Sequence, residues 1–229
     1  MWLIHSSIGR KFVMSITGIA LVLFLLFHGT MNLVAIISPD GYNMICEFLG
    51  ANWYALIGTV GLAGLVFIHF IYALYLTWLN YRARGRVRYS VSESSKEVEW
   101  ASKNMLIIGS VVLGFILLHL YNLWFKMQFV EIVHKLGGEF GDLENAANGA
   151  LYVKELFAQP VYCALYLAWL LALWFHLTHG VWSALQTLGL SNNVWFSRIK
   201  VISKIFATLI VLLFASVVVW YGIMAFIAG

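Results

Sequence analysis

The chain has 229 residues, of which 62% are hydrophobic and only 10% charged, with a formal net charge of +4. A soluble domain carries roughly 25% charged residues, so this composition cannot coat a water-facing surface and excludes an ordinary soluble protein. The bilayer must be its solvent, and the 16% aromatic content, with 10 Trp and 11 Tyr, suits the membrane–water interface.

Taken in chain order, charge is absent between Phe12 and Pro39, Phe48 and Tyr81, Asn104 and Phe125, Leu156 and Ser197, and Ile205 and Gly229. A spanning helix needs roughly 20 apolar residues, and in lipid a helix satisfies its own backbone polar groups. The runs predict five transmembrane helices near 12–37, 54–79, 104–125, 160–187 and 204–227, forming an all-α integral membrane protein with one membrane domain over 1–229. The first run exceeds a signal-peptide core of roughly 7–15 residues and reads as a retained helix. In the fourth, Gly189, Ser191, Asn192 and Asn193 mark a loop. Between the third and fourth spans, Met127 to Gln159 is the largest polar insertion, with a short amphipathic helix expected over Gln128 to Leu136. Glycines 58, 61 and 64 read as a small-residue face for close helix packing.

Lysine and arginine set the orientation. One side holds Arg10, Lys11, Arg82, Arg84, Arg86, Arg88, Lys96, Lys103, Arg198, Lys200 and Lys204; the other holds Lys126, Lys135 and Lys154. This excess puts the N-terminus in the cytoplasm, and the Arg82–Arg88 cluster reads as a solvated positive-inside loop rather than a nucleic-acid patch. The two cysteines, Cys46 and Cys163, form no metal-binding pair and no C-x-x-C-H haem attachment motif. They read as packing residues.

Five of the seven histidines fall within spans: His28, His69, His119, His176 and His179. Ionisable groups inside a membrane are costly and mark function. At 1.5 Å per residue, His28 and His119 lie roughly 10–15 Å below the outer surface, and His69 and His176 roughly 24 Å below it. Four helices thus supply two pairs at two depths. A bis-histidine haem takes one imidazole from each of two facing helices, and two axial histidines suit electron transfer. A zinc or copper site would gather three or four ligands at one level, and no Asp or Glu lies in a span. His179, one turn beyond His176 and about 60° away in azimuth, could replace it as a ligand, or touch a haem propionate or quinone. His5 and His134 lie outside the spans and read as solvated.

These residues resemble a known family. FHLTHGVWSALQTLGL (Phe175 to Leu190), HGTMN from His28, HFIYALY from His69 and HLYNLWF from His119 resemble the ligand helices of the single-chain, five-helix cytochrome b membrane anchors of succinate dehydrogenase and quinol:fumarate reductase. The resemblance covers nearly the whole chain. It implies two haems b, with His28 and His119 on the outer one and His69 and His176 on the inner one. The family's fourth-helix ligand stands four residues before the glycine, which selects His176 over His179. HSSIGRK, His5 to Lys11, resembles the start of helix one, where Ser6 and Arg10 would approach quinone or haem propionates; Arg10 reads equally as a positive-inside helix start. Some relatives carry an acid beside the fourth-helix ligand; this chain has Trp174 and Phe175 there.

The resemblance further implies a flavoprotein subunit with FAD and an iron–sulfur subunit docked on the cytoplasmic side of a bacterial inner membrane. Electrons would pass between them and menaquinone, or ubiquinone. Quinone chemistry moves protons, and a carboxylate serves as acid or base; Glu47, on the outer loop by helix two, is the candidate, with a solvated loop acid as its plainer reading. Two alternatives stay open at this level: a cytochrome b subunit of a hydrogenase or formate dehydrogenase, and a non-redox transporter that uses histidines for protons or metal.

Overall fold

The computed structural model describes residues 6–84 and 100–228. Each apolar run becomes a long helix: α1 (Ser7–Ile37), α3 (Trp53–Arg84), α5 (Met105–Asn122), α8 (Pro160–Thr187) and α9 (Phe196–Ala228). All five are long and apolar enough to cross a membrane. The described residues contain no strand. Large side chains such as Ile57, Val60, Phe67, Leu209, Leu212 and Phe226 are exposed, a surface that suits hydrocarbon rather than water. Arg86, Arg88, Lys96 and His5 lie outside the described residues.

Among the described residues, four shorter α-helices and one 3-10 helix (Trp124–Lys126) stand between the long ones: α2 (Pro39–Phe48), α4 (Trp100–Lys103), α6 (Gln128–Lys135) and α7 (Gly149–Phe157). The expected amphipathic helix is α6; α2 and α7 were not expected. Helix α2 starts where Ser38 accepts from the Gly41 N–H at 3.0 Å, with Pro39 at the first helical position and Asp40 in the first turn. These are standard helix-start residues: a cap for an orphan donor, a preset φ and an anion at the positive dipole end.

Helix ends also depart from the charge gaps. The last helix starts at Phe196, eight residues before the expected 204, because basic side chains can lie along aromatic rings rather than terminate a helix. The Lys200 ammonium lies 4.8 Å from the Trp182 ring centre, and the Arg198 guanidinium 5.3 Å from that of Trp195. Helix α8 closes with Gly189 at φ 82°, the Leu190 N–H donating to the Leu185 carbonyl and the Gly189 N–H to that of Gln186. That paired closure needs a left-handed residue, which glycine supplies.

The chain packs as two compact units. Among the described residues, unit 1 takes in 6–24, 62–84, 100–110 and Leu173–Thr208, and unit 2 takes in Leu25–Gly61, Val111–Ala172 and 209–228. Unit 1 buries Ile108, Leu173, Leu177, Ile199 and Ala207, and Trp174 Nε1 donates to Thr208 Oγ1 at 2.9 Å to tie α8 to α9. Unit 2 buries Val112, Leu170, Ile210, Val217 and Tyr221, and the Tyr221 hydroxyl donates to the Ala35 carbonyl at 2.8 Å. Within unit 2, Asn43 and Asn148 stitch α2 to α7: Asn43 Nδ2 donates to Asn148 Oδ1 at 3.0 Å, and Asn43 Oδ1 accepts from the Ala150 N–H at 2.9 Å.

Glycines 58, 61 and 64 do not mark a close helix contact. A Cβ built on any of them meets nothing within 4 Å among the described residues. The close approach is at Gly29 instead, where a Cβ would stand 3.2 Å from Leu213 Cβ and from the Phe214 ring.

Candidate functional site

Each unit holds one histidine pair, and the pairs are those that depth counting along the helices gives. In unit 2, His28 of α1 and His119 of α5 stand with ring centres 5.9 Å apart and planes at 82°. The His28 ring lies 5.7 Å from Phe214 of α9. The His119 ring faces Trp169 and Tyr166 of α8 at 5.7 and 6.3 Å, and Trp169 stacks on Phe115 at 6.0 Å. His119 Nδ1 and Trp169 Nε1 are buried and have no hydrogen-bond partner among the described residues. On the backbone side, Asn32 Nδ2 donates to the His28 carbonyl at 2.8 Å and Asn32 Oδ1 accepts from the Tyr42 hydroxyl at 2.9 Å.

In unit 1, His69 of α3 and His176 of α8 stand 6.3 Å apart, centre to centre, with planes at 70°. The Thr17 hydroxyl of α1 lies 3.1 Å from His69 Nδ1. His176 Nδ1 is buried without a hydrogen-bond partner among the described residues.

His28 with His119, and His69 with His176, would be the residues to hold a haem. An imidazole nitrogen binds a transition metal at about 2 Å, with roughly 1.1 Å more from nitrogen to ring centre, so two rings sharing one metal would stand about 6 Å apart. Both pairs meet that spacing. No three His, Cys, Asp or Glu residues converge among the described residues, so each site offers two imidazoles, a donor set suited to a metal that arrives with its own in-plane ligands. Bare backbone stands close by in sequence: Gly64 precedes His69 by five residues, Gly114 precedes His119 by five, and Gly180 follows His176 by four. A Cβ on any of these three meets nothing within 4 Å among the described residues.

The remaining candidates are distributed otherwise. Ser6 Oγ accepts from the Gly9 N–H at 2.9 Å and so caps α1. Arg10 Nη1 donates to the Tyr75 hydroxyl at 3.4 Å, its guanidinium carbon lies 5.6 Å from that ring centre, and its Nε is buried without a partner among the described residues. His179 has its ring against Trp182, 5.1 Å away, while His176 is the residue set against His69. Trp174 is bonded to Thr208, and the Phe175 ring meets that of Trp100 at 5.4 Å.

Glu47 stands on α2, not on a loop. It is exposed and lines an open cleft of about 290 Å³ with Asp40, Asn43, Glu144 and Asn148. A second, apolar cleft of about 440 Å³ runs beside α1 and α2, lined by Phe27, Met31, Met44, Ile45 and Phe48 among others. His134 is half-exposed, and its Nε2 lies 3.0 Å from the Phe140 carbonyl in an exposed contact. Cys46 and Cys163 are free thiols.

Thr17, Tyr42 and Trp169 also enter the sites, as does Asn32, the last residue of HGTMN. None carries a spacing signal, because each matters only through a partner on another helix or segment. No family model, no curated protein and no solved structure matches this chain.

Proposed function

We propose that the chain is a dihaem cytochrome b membrane anchor of a succinate:quinone oxidoreductase, a succinate dehydrogenase or fumarate reductase. The observation that carries this reading is the pair of facing imidazoles in each unit, 5.9 and 6.3 Å apart. The ligand-helix motifs around His28, His69, His119 and His176 support the family.

His28 and His119 would hold one haem, and His69 and His176 the other. When bound, the haems supply one-electron redox chemistry between an iron–sulfur partner and menaquinone, or ubiquinone. The residues of this chain hold and orient them. The aromatic wall of Phe115, Tyr166 and Trp169 keeps water from His119, and Phe214 does the same for His28. The apolar cleft of Phe27, Met31, Met44 and Phe48 suits a lipid-soluble substrate of quinone type. Glu47 and the polar cleft around it offer carboxylates for proton exchange with such a substrate. The Arg10 guanidinium, with an unpartnered buried N–H, suits an anionic group such as a propionate. The excess of basic residues on one side supports a cytoplasmic N-terminus, and with it a bacterial inner-membrane anchor on whose cytoplasmic side the flavoprotein and iron–sulfur subunits would dock.

The test is to purify the intact complex, identify its companion subunits and measure haem per chain. Two haems b with an FAD protein are expected, falling to one haem in His119→Ala and in His69→Ala. A colourless preparation would overturn the haem reading. A nickel or molybdenum companion would overturn the family.

A further inference from the structure

In unit 1 both imidazoles turn the same edge toward a glycine of a third helix. A Cβ on Gly18 of α1 would stand 3.4 Å from His69 Cε1 and 3.8 Å from its Nδ1; one on Gly109 of α5 would stand 3.6 and 3.8 Å from the same atoms of His176. The Nδ1 edges therefore face protein backbone, and Nε2 is the nitrogen each ring has left for a shared metal.

His69 differs from His176 in having a hydroxyl beside Nδ1. Thr17 is 5% exposed and its Oγ1 lies 3.1 Å from His69 Nδ1. The hydroxyl has one proton, and two backbone carbonyls, which can only accept, draw it away from the ring: Oγ1 lies 2.9 Å from the Val13 carbonyl and 3.1 Å from that of Met14. Towards the imidazole, Thr17 is left with acceptor lone pairs only. A neutral imidazole carries one N–H, so the contact is a hydrogen bond only when that proton sits on Nδ1. The Nε2 lone pair is then free.

We infer that Thr17 is a positioning residue for His69. It fixes the tautomer that leaves Nε2 as the donor atom, it orients the ring, and by accepting from Nδ1–H it makes Nε2 more basic. Partners of this kind hold ligand rings in metal sites generally, and their loss costs roughly 10–100-fold in metal affinity or activity. The inference rests on the haem reading for the identity of the metal, but not for the tautomer.

The test compares Thr17→Val, which keeps the shape and removes the hydroxyl, with Thr17→Ser, which keeps the hydroxyl. In the purified complex, Thr17→Val is expected to raise the midpoint potential of one haem, because a less basic ligand favours the ferric state less. That haem should also be lost to an acceptor roughly 10–100-fold faster, with the other haem unmoved. Thr17→Ser should restore both properties. Wild-type haem, present in full and unaltered in potential and retention in Thr17→Val, would overturn the inference while leaving the haem reading intact. Independently of haem, ¹⁵N-histidine NMR of the metal-free chain should show one imidazole, lost in His69→Ala, protonated at Nδ1. Protonation of that ring at Nε2 would overturn the inference.

Discussion

Tyr42 and Asn32 share a hydrogen bond of 2.9 Å that joins the short helix α2 to the turn of α1 carrying His28. Asn32 passes the constraint on through its 2.8 Å bond to the His28 carbonyl. Tyr42 is 8% exposed, so its removal strands the Asn32 acceptor. Tyr42→Phe is expected to destabilise the chain by about 1–3 kcal/mol, the cost of an unsatisfied buried group. Under the haem reading it also loosens the His28 pair and leaves the His69 pair alone. Thermal unfolding in detergent, followed by the absorbance of each haem, checks both parts.

Alkaline pH probes the same corner. Burial, with Cys46 alongside, pushes the Tyr42 phenol well above its ordinary value, and burial pushes the Cys46 thiol up to about 11. Both groups are neutral in the folded state where the unfolded chain would ionise. Their contribution to stability is therefore complete below about pH 8.5, the ordinary thiol value. It is lost for Cys46 as pH rises through about 11, and for Tyr42 it falls from about pH 10 upward. In a Cys163→Ala background, iodoacetamide at pH 8.5 should alkylate folded Cys46 at least a hundredfold more slowly than the denatured chain, given the smaller thiolate fraction. Equal rates would contradict the burial of Cys46 against Tyr42.

Gln128 makes the densest set of polar contacts in unit 2. Its Oε1 accepts from Thr59 Oγ1 at 2.9 Å and from Trp124 Nε1 at 2.7 Å, and its Nε2 donates to the Leu49 and Gly50 carbonyls at 3.2 and 3.0 Å. One turn along α6, Glu131 Oε2 accepts from the Ala51 N–H at 2.6 Å, and Lys135 donates to the Ala51 carbonyl. Gln128→Leu strands two donors and two acceptors, and about 2–4 kcal/mol of destabilisation is expected from the per-group penalty. Glu47→Gln, on the exposed face of α2, should fall within about 0.5 kcal/mol. Urea or thermal unfolding of the two variants separates them; a larger effect from Glu47→Gln would contradict its placement.

What could be read in the amino acids beforehand followed from length and spacing. Twenty-odd apolar residues in lipid have one conformation available, so the five long helices were legible, and histidines counted from helix ends fell into the pairs that the structure brings together. The amphipathic pattern over Gln128 to Leu136 is short, and the helix α6 that forms there spans Gln128–Lys135. Helix α2 was passed over although Ser38, Pro39 and Asp40 carry a start signal, because counting charge gaps treats Asp40 and Glu47 as the ends of spans rather than parts of a helix. The early start of α9 was missed for the same reason at Arg198, Lys200 and Lys204. Contacts such as Thr17 to His69, Tyr42 to Asn32 and Gln128 to Gly50 join segments 10 to 78 residues apart. No local period encodes them.

The glycines give the last contrast, since two of them look alike in sequence and differ in surroundings. Gly29 is buried beside His28, and a Cβ there would press within 3.2 Å of Leu213 Cβ, an atom that moves only with the α9 backbone. A Cβ on Gly61, in the third turn of α3, meets nothing within 4 Å among the described residues. Gly61→Ala should therefore be neutral or stabilise α3, up to about 1 kcal/mol from helix propensity. Gly29→Ala must push α1 from α9 by a few tenths of an ångström, and Gly29→Leu by more, with about 1–3 kcal/mol lost to overpacking. Because Gly29 adjoins His28, the damage should register first in the unit 2 pair: loss of one haem at a temperature where Gly61→Ala keeps both. If Gly61→Ala proved the more damaging of the two, α3 would pack against a surface at that point, and the open space beside it would be filled in the assembled protein.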